Sequence, residues 1–204
     1  MAIQTLVDLR VRLKDWSNRK DLADTLLTDF INVAQARANR LLDIPPFDKV
    51  GSKTLDANSR VVVPKDFIEA KVFSIVIGNI TIELERKNPA FVLKDKSVSI
   101  YPTYFTRIGG EFLISPAMPE GTEVSLYYTA ALTPLALDTD SNWLVTDAPE
   151  VLLYGALSEL SLYTKNLEEA SLWEGKFQSA MVELQNMNDT AEWSGSSIAI
   201  GGVS

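Results

Sequence analysis

A chain of 204 residues, 46% hydrophobic and 23% charged, can bury one ample core and is too ordinary in composition for a disordered, collagen-like or coiled-coil protein. It contains neither histidine nor cysteine, which excludes disulfides, zinc sites, Ser-His triads and Cys-His dyads. The formal charge of −8 argues against a free-standing nucleic-acid binder, because phosphate affinity comes from clustered Lys and Arg; residues 138–204 hold two basic and eleven acidic side chains and carry nearly all of the imbalance.

Met1-Ala2-Ile3-Gln4 offers no basic leader region, and Asp8, Arg10, Arg12 and Lys14 interrupt the apolar stretch that follows. Neither a signal peptide nor a membrane span is expected, and the product is read as cytoplasmic. Thr5 with Asp8 forms a capping signature before Leu6, Leu9, Leu13 and Trp16, predicting a first amphipathic helix to about Trp16. A second runs from near Asp21, with Leu22, Leu26, Phe30, Val33 or Ala34, Ala38 and Leu41 as its buried stripe, and ends before Pro45-Pro46. From about Val50 to Ala130 the period becomes two. Val72–Ile77 and Ile80–Ile82 flank Gly78-Asn79, and Tyr104–Ile108 and Glu111–Ser115 flank Gly109-Gly110, so two tight hairpins are predicted. A short helix at Pro89–Leu93 and a last strand at Glu123–Tyr128 complete the region. Asp147-Ala148-Pro149-Glu150 reads as a helix start with Asp147 as the cap, burying Leu153, Ala156, Leu157, Leu160 and Tyr163. Asn166 restarts the pattern, with Ala170, Trp173, Phe177, Ala180, Met181, Leu184 and Met187 as a long stripe.

The expected fold is therefore α+β: a helical bundle from residues 1–45 and 138–190, an inserted antiparallel β domain at 46–137, and a flexible tail at 191–204. Sites for chemistry are absent from this outline. Gly109-Gly110-Glu111-Phe112 is a fragment of a cyclase signature without its context and reads as a turn. Asp138-Thr139-Asp140-Ser141-Asn142 begins like a calcium loop, but Trp143 stands where the loop needs Gly and Pro149 where it needs Glu. No phosphate-cradling glycine motif occurs, and nothing selects a catalytic carboxylate pair. No catalytic residue, cofactor or metal is expected. Tyr101, Tyr104, Tyr127 and Tyr128 read as sheet aromatics or as a carbohydrate-stacking surface. Trp173 and Phe177 are core packing or an intersubunit groove. Trp193, Ile198, Ile200 and Val203 are apolar residues spaced through a small, polar tail, and Ile198 with Ile200 alternates as a strand added to a partner's sheet edge would.

Asp29-Phe30-Ile31, Ala36-Arg37-Ala38-Asn39-Arg40 and Val63-Pro64-Lys65-Asp66-Phe67-Ile68-Glu69 carry a likeness that extends further. It continues through Tyr101-Pro102-Thr103-Tyr104, Leu113-Ile114-Ser115-Pro116, Tyr127-Tyr128, Pro134-Leu135, Asn142-Trp143-Leu144 and Pro149-Glu150. In this order, over about Gln4 to Met187, the chain resembles the head-to-tail adaptor (connector) proteins of tailed bacteriophages, the tail-tubular-protein-A-like class. The resemblance implies a structural protein of the virion neck, made in the host cytoplasm. It implies a homo-oligomeric, dodecameric ring under the portal protein and above a tail or nozzle protein, with DNA passing through without specific binding, and no enzymatic activity. It also implies a terminal segment that docks on the portal, for which Trp193, Ile198, Ile200 and Val203 are the candidates. A neck or tail-completion ring of a long-tailed phage shares the same outline. From a different class, a carbohydrate- or receptor-binding β module would use the tyrosines, and a carboxylate-only enzyme is the remaining rival.

Overall fold

The computed structural model describes residues 3–95, 97 and 99–193, with side chains to Met187. In chain order it begins with α1 (Leu6–Ser17), α2 (Asp24–Leu41), β1 (Asp48–Thr54), β2 (Arg60–Val62) and β3 (Phe67–Ile77). There follow β4 (Ile80–Glu83), β5 (Glu85–Arg86), α3 (Pro89–Val92), β6 (Tyr104–Ile108), β7 (Glu111–Ser115) and β8 (Glu123–Ala130). The last elements are α4 (Trp143–Asp147), α5 (Pro149–Tyr163) and α6 (Leu167–Trp193). Apart from the four-residue α3, helices and strands occupy separate stretches of chain, the α+β class that the sequence implies. The chain divides into two compact units, one built from residues up to Pro46 and from Leu132 onward, the other from Phe47–Ala131. The return into the helical unit falls at Leu132.

In the helical unit, α1 starts where the Asp8 carboxylate accepts the Thr5 amide at 3.1 Å. Two further first-turn amides, Leu6 and Val7, donate to the carbonyls of Asp140 (2.9 Å) and Asp138 (3.2 Å), so the loop before α4 caps α1 from outside. Helix α2 begins at Asp24 rather than Asp21. The Asp21 carboxylate is engaged by the Arg19 guanidinium through two bonds of 2.8 Å, which lower its pKa to about 2 and leave it unavailable as a cap. The face that α2 buries is Leu27, Ile31, Ala34, Gln35 and Ala38, one step around from the expected stripe. Leu26 and Phe30 are half-buried, and Val33 and Leu41 are exposed. The sequence offers adjacent apolar pairs at 26/27, 30/31 and 33/34, and the small Ala34 and Ala38 decide between the phases by letting α2 approach α5 closely. A Cβ on Gly155 of α5 would lie 2.6 Å from the Cβ of Ala34.

The chain re-enters this unit along α2. Gln35, only 2% exposed, donates to the carbonyls of Leu132 (3.2 Å) and Thr133 (2.9 Å) and accepts from Asn142 (2.7 Å). One turn away on either side, Asn32 exchanges two bonds with the Leu135 backbone and Asn39 accepts the Leu132 amide. Asn142 also caps α4, whose presence the sequence did not signal. Asp147 closes α4 instead of capping α5, and its carboxylate takes the Thr146 hydroxyl. Helix α5 is buried nearly all round, the signature of a central helix, although Tyr163 at its end is exposed.

In the β unit, two four-stranded sheets, β1-β8-β3-β4 and β2-β7-β6-β5, enclose one core. All pairings are antiparallel except the two-residue β5–β6 bridge. Both predicted hairpins are present, with Ile77 opposite Ile80 and Ile108 opposite Glu111, and with Gly78 and Gly109 at φ of 60° and 61°. Phe73, Phe105 and Phe112 meet across the sheets with centroids 4.9–5.7 Å apart. Strand β1, which the sequence did not signal, lines the first sheet's edge and is largely solvent-facing, so its residues carry no apolar alternation.

Candidate functional site

The helical unit presents one surface that could serve a partner, the outer side of α6. Helix α6 packs its inner face on α5 and α2. Phe177 is fully buried against Gly155, and the Arg37 guanidinium of α2 lies over its ring at 4.4 Å. The same guanidinium bridges Glu159 of α5 (3.2 Å) and Glu174 of α6 (2.5 Å), so one cation ties three helices. Burial alone would raise the pKa of Glu174. Bonds from Arg37, Gln178 and Ser158, with the charge of Arg37, outweigh it and lower the value.

Beside this cluster, Trp16 of α1, Tyr154 of α5 and Trp173 of α6 form a triangle with centroids 5.8–6.1 Å apart. The Lys176 ammonium sits 5.6 Å from the rings of both Tyr154 and Trp173. Of the two aromatics singled out on α6, Phe177 is therefore held inside the chain's own core, and Trp173 is half-buried with an edge still at the surface.

The outer face of α6 continues from that triangle. Leu172, Gly175, Ser179 and Val182 recur at three- and four-residue spacing, with Met187 beyond them. Leu172, Val182 and Met187 are 56, 59 and 64% exposed, unusual for side chains of this type on one stripe. Two shallow grooves share Ser179 and Glu183 and so run into each other, one toward Tyr154 and Lys176, the other toward Asn186 and Met187. Sequence periodicity assigned Leu184 and Met187 to the buried stripe; full burial stops at Met181, Leu184 is half-buried and Met187 is exposed.

The other motifs have structural roles. Asp138 pairs with Arg10, Asp140 accepts the amides of Ala136 and Leu137 at 2.8 Å, and Asn142 caps α4, so the calcium-like run is a folded corner. Glu168 and Glu169 occupy the first turn of α6. The four tyrosines do not share one surface. Tyr128 is buried in the β core with its hydroxyl on Asp66 (3.0 Å), Tyr127 points to the opposite face and donates to Asp48 (2.5 Å), and Tyr104 packs on Phe91. Among the described residues no group of three or more acidic side chains is placed to hold a metal ion, and no helix is long and apolar enough to cross a membrane.

What the surface serves is narrowed by comparison with known families. The profile of the SU10 adaptor protein family matches residues 4–200, spanning both units. The chain belongs to that family of phage head-to-tail adaptors. No curated protein matches it. As an adaptor it is a bacteriophage structural protein of tail assembly, and the family implies a place in the virion with assembly partners such as portal and tail. The adaptor's candidate docking residues Ile198, Ile200 and Val203 lie outside the described residues. Trp193 ends α6, with its side chain outside them as well.

Proposed function

We propose that this adaptor is one subunit of a dodecameric ring seated beneath the portal, linking the capsid to the tail or nozzle protein and lining the path by which DNA leaves. The family match over residues 4–200 carries this reading. Adaptors of this kind are generally non-enzymatic, and the work assigned here is binding and geometry. The charge of −8 per chain supports passage of DNA without retention, since like charge repels the phosphate backbone. Trp173 supplies an aromatic anchor between subunits, and residues 191–204 dock on the portal through Trp193, Ile198, Ile200 and Val203, ordering at the cost of entropy that only the partner surface offsets.

Electron microscopy of the purified chain mixed with its portal protein tests the reading. A coaxial ring of twelve copies is expected from the proposal. A dispersed monomer that ignores the portal overturns it. Truncation after Asn188 is expected to abolish portal binding while the remaining chain stays folded; unchanged binding removes the tail from the proposal.

A further inference from the structure

The β unit contains an apolar cavity that its own strand register opens. Along one side the two sheets are joined where β4 runs on into β5 through the buried Leu84. Along the other, the edge strands β1 and β2 come together without backbone pairing. Lys49, Gly51 and Lys53 of β1 stand opposite Tyr128, Leu126 and Val124 of β8, so they hold the places where β1 faces the core. Two lysines and a glycine bring no branched side chain to that edge. A cavity of about 140 Å³ results, walled by Val61, Phe73, Phe112, Val124, Leu126 and Tyr128, with Gly51 and Ser52 at its rim.

Size limits what such a cavity takes. Sites for drug-sized ligands start at about 300 Å³, which puts nucleotides and oligosaccharides out of range. A cavity of about 150 Å³ walled by Leu, Ile and Phe takes benzene. One ring or branched alkyl group of that size therefore matches the space and its walls.

The mouth adds a charge. The Lys53 ammonium reaches across it to donate to the Val62 carbonyl at 3.1 Å. Nearby Lys49, Arg60 and Lys71 each hold a carboxylate, that of Asp66, Glu111 and Asp48 respectively, whereas Lys53 is paired with none among the described residues. It keeps its full charge and two further donors beside an apolar opening. Lysine on an edge strand also deters stray strand pairing, but that role needs no cavity behind it.

We propose that the seam between β1 and β2 binds a small carboxylic acid with a benzene-sized apolar body, the body inside the cavity and the carboxylate on the Lys53 ammonium. This site lies within the β unit alone and stands or falls separately from the ring reading.

Phenylacetate is the probe and phenethyl alcohol its uncharged counterpart, each titrated at millimolar concentration into the full-length chain. Methyl NMR is expected to show contacts from the ring protons to Val61, Val124 and Leu126, with the acid bound more tightly than the alcohol. Lys53→Met keeps the apolar stem and removes the charge. It should weaken phenylacetate about three-fold, as an exposed ion pair does, and leave the alcohol unchanged. Gly51→Leu should abolish binding of both by filling the cavity. Gly51→Ala, whose Cβ makes only an ordinary contact with the Tyr128 ring at 3.8 Å, should weaken both without lowering the urea midpoint. Absence of ring-to-methyl contacts in the parent overturns the site. Contacts that persist in a folded Gly51→Leu variant, or affinities that Gly51→Ala leaves unchanged, place the ligand elsewhere and overturn the cavity. Equal affinity for acid and alcohol, or a Lys53→Met variant that binds the acid as the parent does, overturns the part given to the ammonium.

Discussion

Gly155 shows how much a single atom decides in this protein. It lies mid-helix in α5, where alanine is ordinarily favoured by about 1 kcal/mol, yet a Cβ there would sit 2.6 Å from Ala34 and 3.1 Å from Phe177. Gly155→Ala is expected to destabilise by about 1–3 kcal/mol, as overpacking does, with Ala34→Gly recovering part of the loss; urea denaturation reads both. A midpoint equal to the parent's contradicts the close approach. Glu174 makes a second prediction. Its folded pKa is depressed below the ordinary 4.5 despite burial, so the Arg37 contact contributes stability that is present above that value and lost as pH falls through the folded pKa. The parent should lose stability more steeply than Glu174→Gln as pH is lowered through 4.5 and below. Parallel midpoint curves for the two proteins count against it. Neither residue was legible from sequence: a lone glycine in a helical pattern does not say what it faces, and Arg37 is 122 positions from Glu159.

At the level of elements, the readable parts were those with local causes. Gly78-Asn79 and Gly109-Gly110 supply the turn chemistry that closes their hairpins, and the apolar repeats of α1 and α5 match buried faces except at their last members, Trp16 and Tyr163, which are exposed. Where sequence reading missed, the cause was distant. The phase of α2 depends on its fit to α5, β1 is a polar edge strand held by β8, and α4 exists because Asn142 can cap it while bonded to Gln35. Gln35 makes the element-scale prediction. Gln35→Leu leaves two backbone carbonyls and the Asn142 amide without their buried partner, which should cost about 3 kcal/mol and raise hydrogen exchange at residues 132–135 and at α4. Loss of stability with unchanged exchange in those segments argues that the damage lies elsewhere.

For the molecule as a whole, a change of period marks where helices give way to strands, and the family resemblance followed from the order of elements. The outward face of α6 was hidden, because periodicity registers an apolar stripe without saying whether the same chain covers it. The β unit has its own core, and its first and last strands pair side by side, Asp48 opposite Thr129. The fragment Phe47–Ala131 made alone is therefore expected to fold, with strand-type circular dichroism and a cooperative urea transition; a featureless, non-cooperative fragment refutes this. That adjacency of ends has a consequence for descent. A block whose two ends meet at neighbouring strands can be exchanged between lineages as a cassette, with only two splice points to repair and with Asn32, Gln35 and Asn39 holding the downstream one. Selection can then retune what the β unit touches while the helices keep their own geometry unchanged.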